Sequence, residues 1–555
     1  MTRLPVVATL LLLLVSARPA PTVAADGAPA LVVVLVVDQM RRDYIEDYGG
    51  PWTGGLRRLL DEGAWFTKAA YPYLTTLTCP GHATISTGSL PSTHGIISNQ
   101  WWDRSSQQLI SCTTDPTSKE VPYGNTPPGG GSSGRLLAVP TFTSALADRK
   151  PVAGRVVALS LKAAAAAMLA GMKGNPVIWR QGTGWSSSTA YTTEPDKTAM
   201  KFIAGNPIER EFGTAWKREG KKSDYKYEDK AVGEKPSTEW DVEFPHLLQP
   251  RSGKPTTFFY EAWQGSPFAD AYLARLAAAV LDGLKLGQGS ATDYLAISFS
   301  TLDIVGHDFG PRSHEVQDVL RQLDATIGTL MAQLDKKVGR DRYVLALTAD
   351  HGVATIPEQL KAEGQDAGRV KLAEIMALVD GVVTKKFGNG RWVAIQAYSE
   401  FYFRAGVYDR IAADPDLLAD VIRAIEAQPG VHKVYDGRTL RGGNGPSLDA
   451  VGAAAARSYF PGRSGDLLIT LKPNWIFVSD DKSVIPGTAT THGSPYAYDQ
   501  QVPMILFGAG IKPGRYEQPA SPADIAPTLS RICGVPLPTA TGRVLEEALV
   551  TAPSH

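Results

Sequence analysis

Six aspartate and histidine side chains have the types and spacings of metal ligands: Asp38, Asp303, His307, Asp350, His351 and His492. Asp303 and His307 are four residues apart and would share one face of a helix, where they can grip one ion. Asp350 and His351 adjoin each other and precede Gly352, which suits a tight turn. Mixed carboxylate and imidazole sets suit zinc, and two such sets can clamp phosphate oxygens. The spacing therefore predicts a bimetallic site.

A threonine in the segment 71–88 is a candidate nucleophile. Pro80 can open a helix at its first position, and a helix N-terminus presents backbone N–H groups to an anion. The hydroxyl of Thr78 would then face both this dipole and a metal ion, which lowers its pKa and makes an alkoxide accessible. The alternative is that Thr78 only caps the helix, as threonine commonly does. The residues alone leave both roles open.

The elements that would position these residues are buried strands alternating with helices. Leu31–Val37 is a continuous run of valine and leucine, typical of a strand covered on both faces. Similar runs occur at 155–160, 294–300, 343–348 and 502–507, and helical patterns at 54–62, 267–286, 314–336 and 417–427. This alternation predicts an α/β fold, with a central, mostly parallel sheet flanked by helices on both faces.

Several of these strands end at candidate ligands. The first run ends at Asp38, the run to residue 300 precedes Asp303, and the run to residue 348 precedes Asp350. Ligands of such sheets collect beyond the carboxyl ends of the strands. A single aspartate after a strand is usually a turn residue or a helix N-cap. Three strands ending in this way favour one shared site.

Loop-rich stretches interrupt the alternation. Residues 116–134 and 182–245 are rich in Gly, Pro, Ser and Thr and lack a clear period, and 353–480 suggests an α+β substructure. We predict one catalytic domain over residues 26–555, with cap insertions near 175–260 and 355–480 at the edge that carries the site.

The N-terminus has the layout of a secretory signal. Arg3 precedes an apolar run over residues 4–15 and a small-residue segment at 23–25, and the run is too short to span a bilayer comfortably. We predict a signal peptide over residues 1–25 and a periplasmic or secreted protein; an uncleaved anchor is the alternative. In such a compartment Cys79 and Cys112 can form a disulfide that leaves Cys533 free, or all three can be buried thiols.

The charge balance is neutral, because Lys plus Arg and Asp plus Glu each number 56. A nucleic-acid or anionic-membrane partner would favour a basic excess. We therefore expect no nucleic-acid-specific binding and no membrane association after signal cleavage.

Six motifs together carry a family resemblance: VVDQM, TTLTCPGHATISTG, HGIISNQWWD, STLDIVGHDFGP, TADHG and THGSPY. The sequence resembles the type I phosphodiesterase/nucleotide pyrophosphatase branch of the alkaline phosphatase superfamily. Within that branch it is similar to the zinc-dependent bacterial alkaline phosphatases of the PafA/PhoK type. The likeness runs from about residue 32 to residue 549.

The resemblance implies a role for each site residue and two Zn²⁺ ions per subunit. One zinc would be held by Asp38, Thr78, Asp350 and His351, and the other by Asp303, His307 and His492. Asn99 would donate to a phosphoryl oxygen, and Lys162 would occupy the place that a third metal ion takes elsewhere in the superfamily. The implied activity is hydrolysis of small phosphate monoesters through a phosphothreonine at Thr78, by a monomer.

One position departs from the family pattern. These monoesterases carry Lys-x-Arg, whereas this chain reads Lys162-Ala163-Ala164. An arginine fork binds two phosphoryl oxygens at once, so its absence weakens stabilisation of a dianionic monoester more than of a diester. A phosphodiesterase or nucleotide pyrophosphatase with the same bimetal site is therefore the alternative activity. Arg180 is a conceivable replacement that nothing in the sequence places at the site, and a catalytically inactive metal- or phosphate-binding protein is a further alternative.

Overall fold

The computed structural model describes residues 27–124, 129–149, 153–236, 238–441, 449–485 and 487–550. The predicted signal peptide, 1–25, lies outside them, and the limits proposed for the catalytic domain and its insertions stay predictions. In chain order the strands are β1 Leu31–Val37, β2 Ala64–Phe66, β3 Gln100–Asp103, β4 Gln108–Ser111, β5 Thr114–Tyr123, β6 Gly130–Ser132, β7 Val156–Ser160, β8 Val177–Gln181, β9 Gly184–Ser188, β10 Ala215–Trp216, β11 His246–Leu247, β12 Asp293–Phe299, β13 Tyr343–Thr348, β14 Gly368–Lys371, β15 Val393–Ala397, β16 Glu400–Phe403, β17 Val431–Asp436, β18 Leu467–Leu471, β19 Trp475–Val478, β20 Met504–Gly508 and β21 Gly514–Tyr516.

The α-helices are numbered in the same way. They are α1 Tyr44–Tyr48, α2 Gly55–Glu62, α3 Thr78–Thr87, α4 Pro91–His94, α5 Phe142–Ala147, α6 Ala163–Ala170, α7 Lys197–Gly205, α8 Thr257–Gln264, α9 Pro267–Gly283, α10 Thr301–Phe309, α11 His314–Lys337, α12 Pro357–Ala362, α13 Leu372–Phe387, α14 Val407–Ala412, α15 Pro415–Glu426, α16 Ala450–Ser458, α17 Ala497–Gln500 and α18 Ile525–Cys533. Among the described residues, none of these helices is long and apolar enough to cross a membrane.

An eleven-stranded sheet forms the centre of the molecule, in the order β21-β2-β20-β13-β1-β12-β7-β8-β9-β5-β6. Its middle block, β13-β1-β12-β7-β8, is parallel. The predicted α/β fold is thereby confirmed, although the strands that adjoin the block on either side, β20 and β9, pair antiparallel with it; β20 is the predicted strand 502–507. At the β9 side a short connection accounts for the direction, because β8 returns to β9 through a tight hairpin rather than a crossover helix.

Strand β1 is buried along its whole length because helices cover both faces of the sheet. Val33 and Leu35 point into a core shared with α2, α9 and α11. Val32 and Val34 point the opposite way, into a core shared with α3, α6 and α18. This alternation follows the two-residue period of a strand, and a run of valines satisfies both faces at once.

The register of the parallel block sets the position of the site. Val36 of β1 lies beside Ser298 of β12 on one side and Thr348 of β13 on the other. The three strands therefore end at the same edge of the sheet, and the residues that follow them leave from neighbouring points.

A smaller sheet, β15-β16-β18-β17, stands apart from the central one in the second interruption of the pattern. Helices α13 and α15 cover it and share an apolar core with it, including Val379, Val421 and Ile469. Its hairpin between β15 and β16 brings Tyr398 beside Gly493, one residue after His492.

Candidate metal centre and nucleophile

Asp38, Asp350 and His351 form the first of two ligand groups at the carboxyl edge of the sheet. The Nε2 atom of His351 lies 3.5 Å from Asp38 Oδ1 and 3.3 Å from Asp350 Oδ2. All three side chains are fully buried, and these two carboxylate oxygens have no hydrogen-bond partner among the described residues. Buried, unpartnered carboxylate oxygens are costly unless a cation binds them. The group therefore fits a metal ion.

Asp303, His307 and His492 form the second group. Helix α10 places Asp303 and His307 one turn apart, as the spacing predicted, and Asp303 Oδ1 lies 3.3 Å from His307 Nε2 and 3.6 Å from His492 Nε2. The structure thus brings together the six residues that the sequence singled out. The rings of His351 and His492 stack with their centroids 3.5 Å apart, so the two groups are adjacent.

Each histidine of the site is held by its second ring nitrogen. His307 Nδ1 donates to Thr490 O over 2.8 Å, and His492 Nδ1 donates to Thr76 O over 2.8 Å. A carbonyl can only accept, so Nδ1 carries the proton and Nε2 keeps its lone pair toward the ligand group. Burial also lowers the pKa of His351 and holds that of His492 well below its usual range, whereas for His307 the Asp303 carboxylate outweighs burial and raises the pKa. Neutral imidazoles are the form that binds metal.

Lys162 joins the two groups. Its Nζ atom lies 2.6 Å from Asp38 Oδ2 and 2.5 Å from Asp303 Oδ2. Burial alone would raise the pKa of Asp303, but Lys162 and His307 hold it well below its usual range. Burial and the neighbouring carboxylates of Asp303 and Asp350 raise the pKa of Asp38. The ammonium therefore neutralises the sides of Asp38 and Asp303 that face away from the histidines.

Thr78 is the first residue of α3, and its Oγ1 lies 3.4 Å from His351 Nε2. The prediction that Pro80 begins this helix is wrong, because Pro80 is its third residue. The alternative in which Thr78 is the cap is also wrong, since Leu77 occupies that position. Thr78 is 5% exposed, and its hydroxyl lies beside the first ligand group.

The first turn of α3 offers fewer free N–H groups than the sequence suggested. Cys79 N donates to Asn99 Oδ1 over 2.8 Å, Pro80 has no N–H, and Gly81 N donates to Leu77 O. Among the described residues none accepts a hydrogen bond from Asn99 Nδ2. The amide nitrogen of Asn99 is therefore a hydrogen-bond donor without an acceptor among the described residues, on a side chain whose oxygen is fixed by the first turn of α3.

A disulfide joins Cys79 to Cys112, which decides the question that the sequence left open, and Cys533 is a buried free thiol. Cys112 N also donates to Asn99 O over 2.9 Å. Asn99 is therefore bound to both half-cystines, one through its side chain and one through its backbone.

Ala164 is the second residue of α6, two residues after Lys162. Arg180 does not replace the missing arginine, because its Nη1 donates to Gln264 Oε1 over 2.5 Å. Within the described part of the chain, Arg180 makes no ion pair with a candidate ligand. Burial lowers its pKa to about 10, although the Glu261 carboxylate acts in the opposite direction.

The similarity of this chain to known proteins agrees with a metal-dependent phosphoric ester hydrolase site at the two ligand groups. Residues 32–495 match the type I phosphodiesterase/nucleotide pyrophosphatase family. The alkaline phosphatase PafA of Elizabethkingia meningoseptica is 31% identical over 542 residues, which cover 94% of each chain. The alkaline phosphatase PhoK of Sphingomonas sp is 30% identical over 531 residues, 92% of this chain and 89% of that protein.

The crystal structure of wild-type PafA is similar in fold as well, with a TM-score of 0.84 at 29% identity over 95% of this chain and 100% of that chain. These matches confirm the resemblance predicted from the motifs. The chain belongs to the type I phosphodiesterase/nucleotide pyrophosphatase family and is a phosphoric ester hydrolase.

Proposed function

We propose that the chain is an exported, zinc-dependent alkaline phosphatase that hydrolyses small phosphate monoesters through a phosphothreonine at Thr78. The observation that carries the proposal is the position of the Thr78 hydroxyl, 3.4 Å from His351 Nε2 and beside a buried ligand group. Relatives with the name alkaline phosphatase align over more than nine-tenths of the chain. The disulfide supports export, since such bonds persist in oxidising compartments.

The donor sets favour zinc. Each group combines carboxylate oxygen with imidazole nitrogen, a mixture that zinc accepts and that magnesium or calcium, which prefer oxygen alone, does not. Asp38, Asp350 and His351, with Thr78, would hold one ion, and Asp303, His307 and His492 the other. Two zinc ions supply Lewis-acid polarisation of phosphoryl oxygens and lower the pKa of a bound hydroxyl or water.

The protein's own residues carry out the transfer in two steps. The Thr78 alkoxide forms a bond to phosphorus as the bond from phosphorus to the alcohol oxygen breaks in line, and the alcohol leaves with a proton from water. Water then attacks the phosphothreonine, releasing inorganic phosphate and returning Thr78 as its alkoxide. Throughout both steps Asn99 Nδ2 donates to a phosphoryl oxygen, and the Lys162 ammonium offsets the negative charge of the phosphoryl group.

A phosphodiesterase is the second candidate, and Ala164 is the observation that favours it. The family's Lys-x-Arg pair would place two cations on a dianionic monoester, but this chain supplies one. A diester carries less charge and loses less from the missing fork.

Rates on an aryl phosphate and on its methyl diester, for the wild type and for Ala164→Arg, separate the two candidates. The monoesterase proposal expects the monoester rate to exceed the diester rate, and expects Ala164→Arg to raise the monoester rate by about 10-fold, in line with one charge-assisted hydrogen bond. A wild type that prefers the diester, with Ala164→Arg leaving the monoester rate unchanged, would overturn it. Metal analysis of the same preparations should give two zinc ions per chain.

A further inference from the structure

Gln39 immediately follows Asp38 and occupies an unusual backbone conformation. It is 1% exposed, and its φ of 70° lies in the left-handed region that side chains rarely adopt. A residue other than glycine held there is strained and persists only where its surroundings impose the conformation.

Gln39 makes one hydrogen bond to each ligand group. Its backbone N donates to Asp350 Oδ1 over 3.1 Å, and its Nε2 donates to Asp303 Oδ1 over 2.6 Å. The two acceptors have different positions. Asp350 Oδ1 accepts from backbone N–H groups, including that of His351, and the other oxygen, Oδ2, is the one beside the His351 ring. Asp303 Oδ1, in contrast, is the oxygen that faces the rings of His307 and His492. The side chain therefore contacts the oxygen that would bind metal in the second group.

The orientation of the amide follows from its neighbours. An ionised carboxylate can only accept, so the nitrogen of the amide faces Asp303. The other atom, Oε1, is buried without a hydrogen-bond partner among the described residues, and it lies against Gly306. A Cβ at position 306 would be 1.8 Å from Oε1, so only glycine at that position leaves room for the amide. An unpartnered buried oxygen is destabilising, and it remains here because the amide nitrogen is bound to Asp303.

We propose that Gln39 is a positioning residue that fixes Asp303 for the second metal ion while its backbone holds the first group in register. The inference rests on the proposed two-metal function. The side chain and the backbone act on different groups, so they can be separated by mutation. Loss of the amide should weaken metal binding by Asp303, His307 and His492, and it should leave binding by Asp38, Asp350 and His351 nearly unchanged.

Gln39→Gly is the variant that separates the side-chain contact from the backbone contact. Glycine adopts the left-handed conformation without strain and keeps the N–H that donates to Asp350, so the side chain with its amide is lost while the backbone contact remains. The purified full-length chain, stripped of metal, is titrated with Co²⁺ against a competing chelator, and the visible absorption of bound Co²⁺ is followed. The expected result is a 10–100-fold rise in the Kd of one ion, the usual effect of removing a group that orients a ligand, and a change below threefold for the other.

Two further variants make the result specific. Asp303→Ala keeps only the first group and identifies its Co²⁺ spectrum and affinity. Gln107→Gly replaces another glutamine in the left-handed region, at φ 56°, on an exposed hairpin away from the site, and should change neither Kd. Saturating metal should restore most of the kcat of Gln39→Gly, because its missing contact acts through metal binding.

The outcomes are distinguishable. A wild type that binds two ions together with a Gln39→Gly protein that binds both with unchanged affinity would overturn this inference alone. Equal weakening of both ions would also overturn it, because that result assigns Gln39 a general structural role. A wild type that binds fewer than two ions would overturn the two-metal function on which the inference rests.

Discussion

Replacing Lys162 by methionine is a direct test of the charge balance at the site. The substitution keeps an unbranched side chain as far as Cε and removes the ammonium group. That group makes two charge-assisted contacts, at 2.6 Å to Asp38 Oδ2 and at 2.5 Å to Asp303 Oδ2, and its side chain is 23% exposed. Each contact to a charged partner contributes about 1.5–3 kcal/mol, and breaking a buried pair leaves uncompensated carboxylate behind.

Both carboxylates belong to the candidate ligand groups, so their loss of the ammonium that holds them carries over to the transition state, and we expect a penalty of up to about 3–6 kcal/mol, or roughly a 10²–10⁴-fold fall in kcat/KM. The assay is hydrolysis of an aryl phosphate at saturating zinc, with metal content measured in the same samples. Lys173→Met is the control, because Lys173 is half-exposed and its nearest carboxylate, Asp148, is 3.6 Å away, so that its removal should change the rate less than threefold. A Lys162→Met enzyme with full zinc content and a rate within threefold of the wild type would refute this reasoning.

Two further predictions concern stability. Burial raises the pKa of Glu400 from 4.5 to about 7. Between these two values the folded state therefore holds a proton that the unfolded chain has lost. The corresponding stability is present in full below pH 4.5 and is lost as the pH rises through 7. Relative to Glu400→Gln, the wild type should lose roughly 3 kcal/mol in free energy of unfolding between pH 4.5 and pH 8, measured by urea denaturation, and parallel pH profiles would contradict this. Cys112→Ser opens a loop closed over 33 residues and should lower the free energy of unfolding by about 4 kcal/mol, whereas Cys533→Ser, at the buried free thiol, measures the cost of a sulfur-to-oxygen change alone.

The ligand residues were predictable from sequence because strand ends and helical spacing are local signals. Asp38, Asp303 and Asp350 each follow the end of a buried strand. Parallel strands in register bring such residues to one edge of a sheet. The separation between Asp303 and His307 needed only the period of a helix. His492 lies outside any strand or helix, and its place depended on the family motif rather than on periodicity.

Contacts between distant segments of the chain could not be predicted from the sequence in the same way. Gln39 reads as an ordinary polar residue, and its bond to Asp303 joins positions 264 apart in the chain. Its sequence signals were its place next to Asp38 and its position in the VVDQM motif. The start of α3 was misplaced because proline at the first position of a helix is common, whereas here Leu77 provides the cap and Pro80 lies two residues inside. The antiparallel direction of β20 could not be predicted either, because it pairs with a strand distant in the chain and carries the same apolar pattern as the parallel strands.

Trapping the phosphoryl group on the enzyme is the most direct test of Thr78 as the nucleophile. Wild-type enzyme is mixed with excess aryl phosphate, quenched in acid within milliseconds at a pH that slows the second step, and digested for peptide mass analysis. We expect a phosphate on the peptide that contains Thr78. We also expect Thr78→Ala to retain two zinc ions but to give neither phosphopeptide nor turnover above background. Unimpaired turnover by Thr78→Ala, or a phosphate trapped on a different residue, would contradict the assignment of Thr78 as the nucleophile.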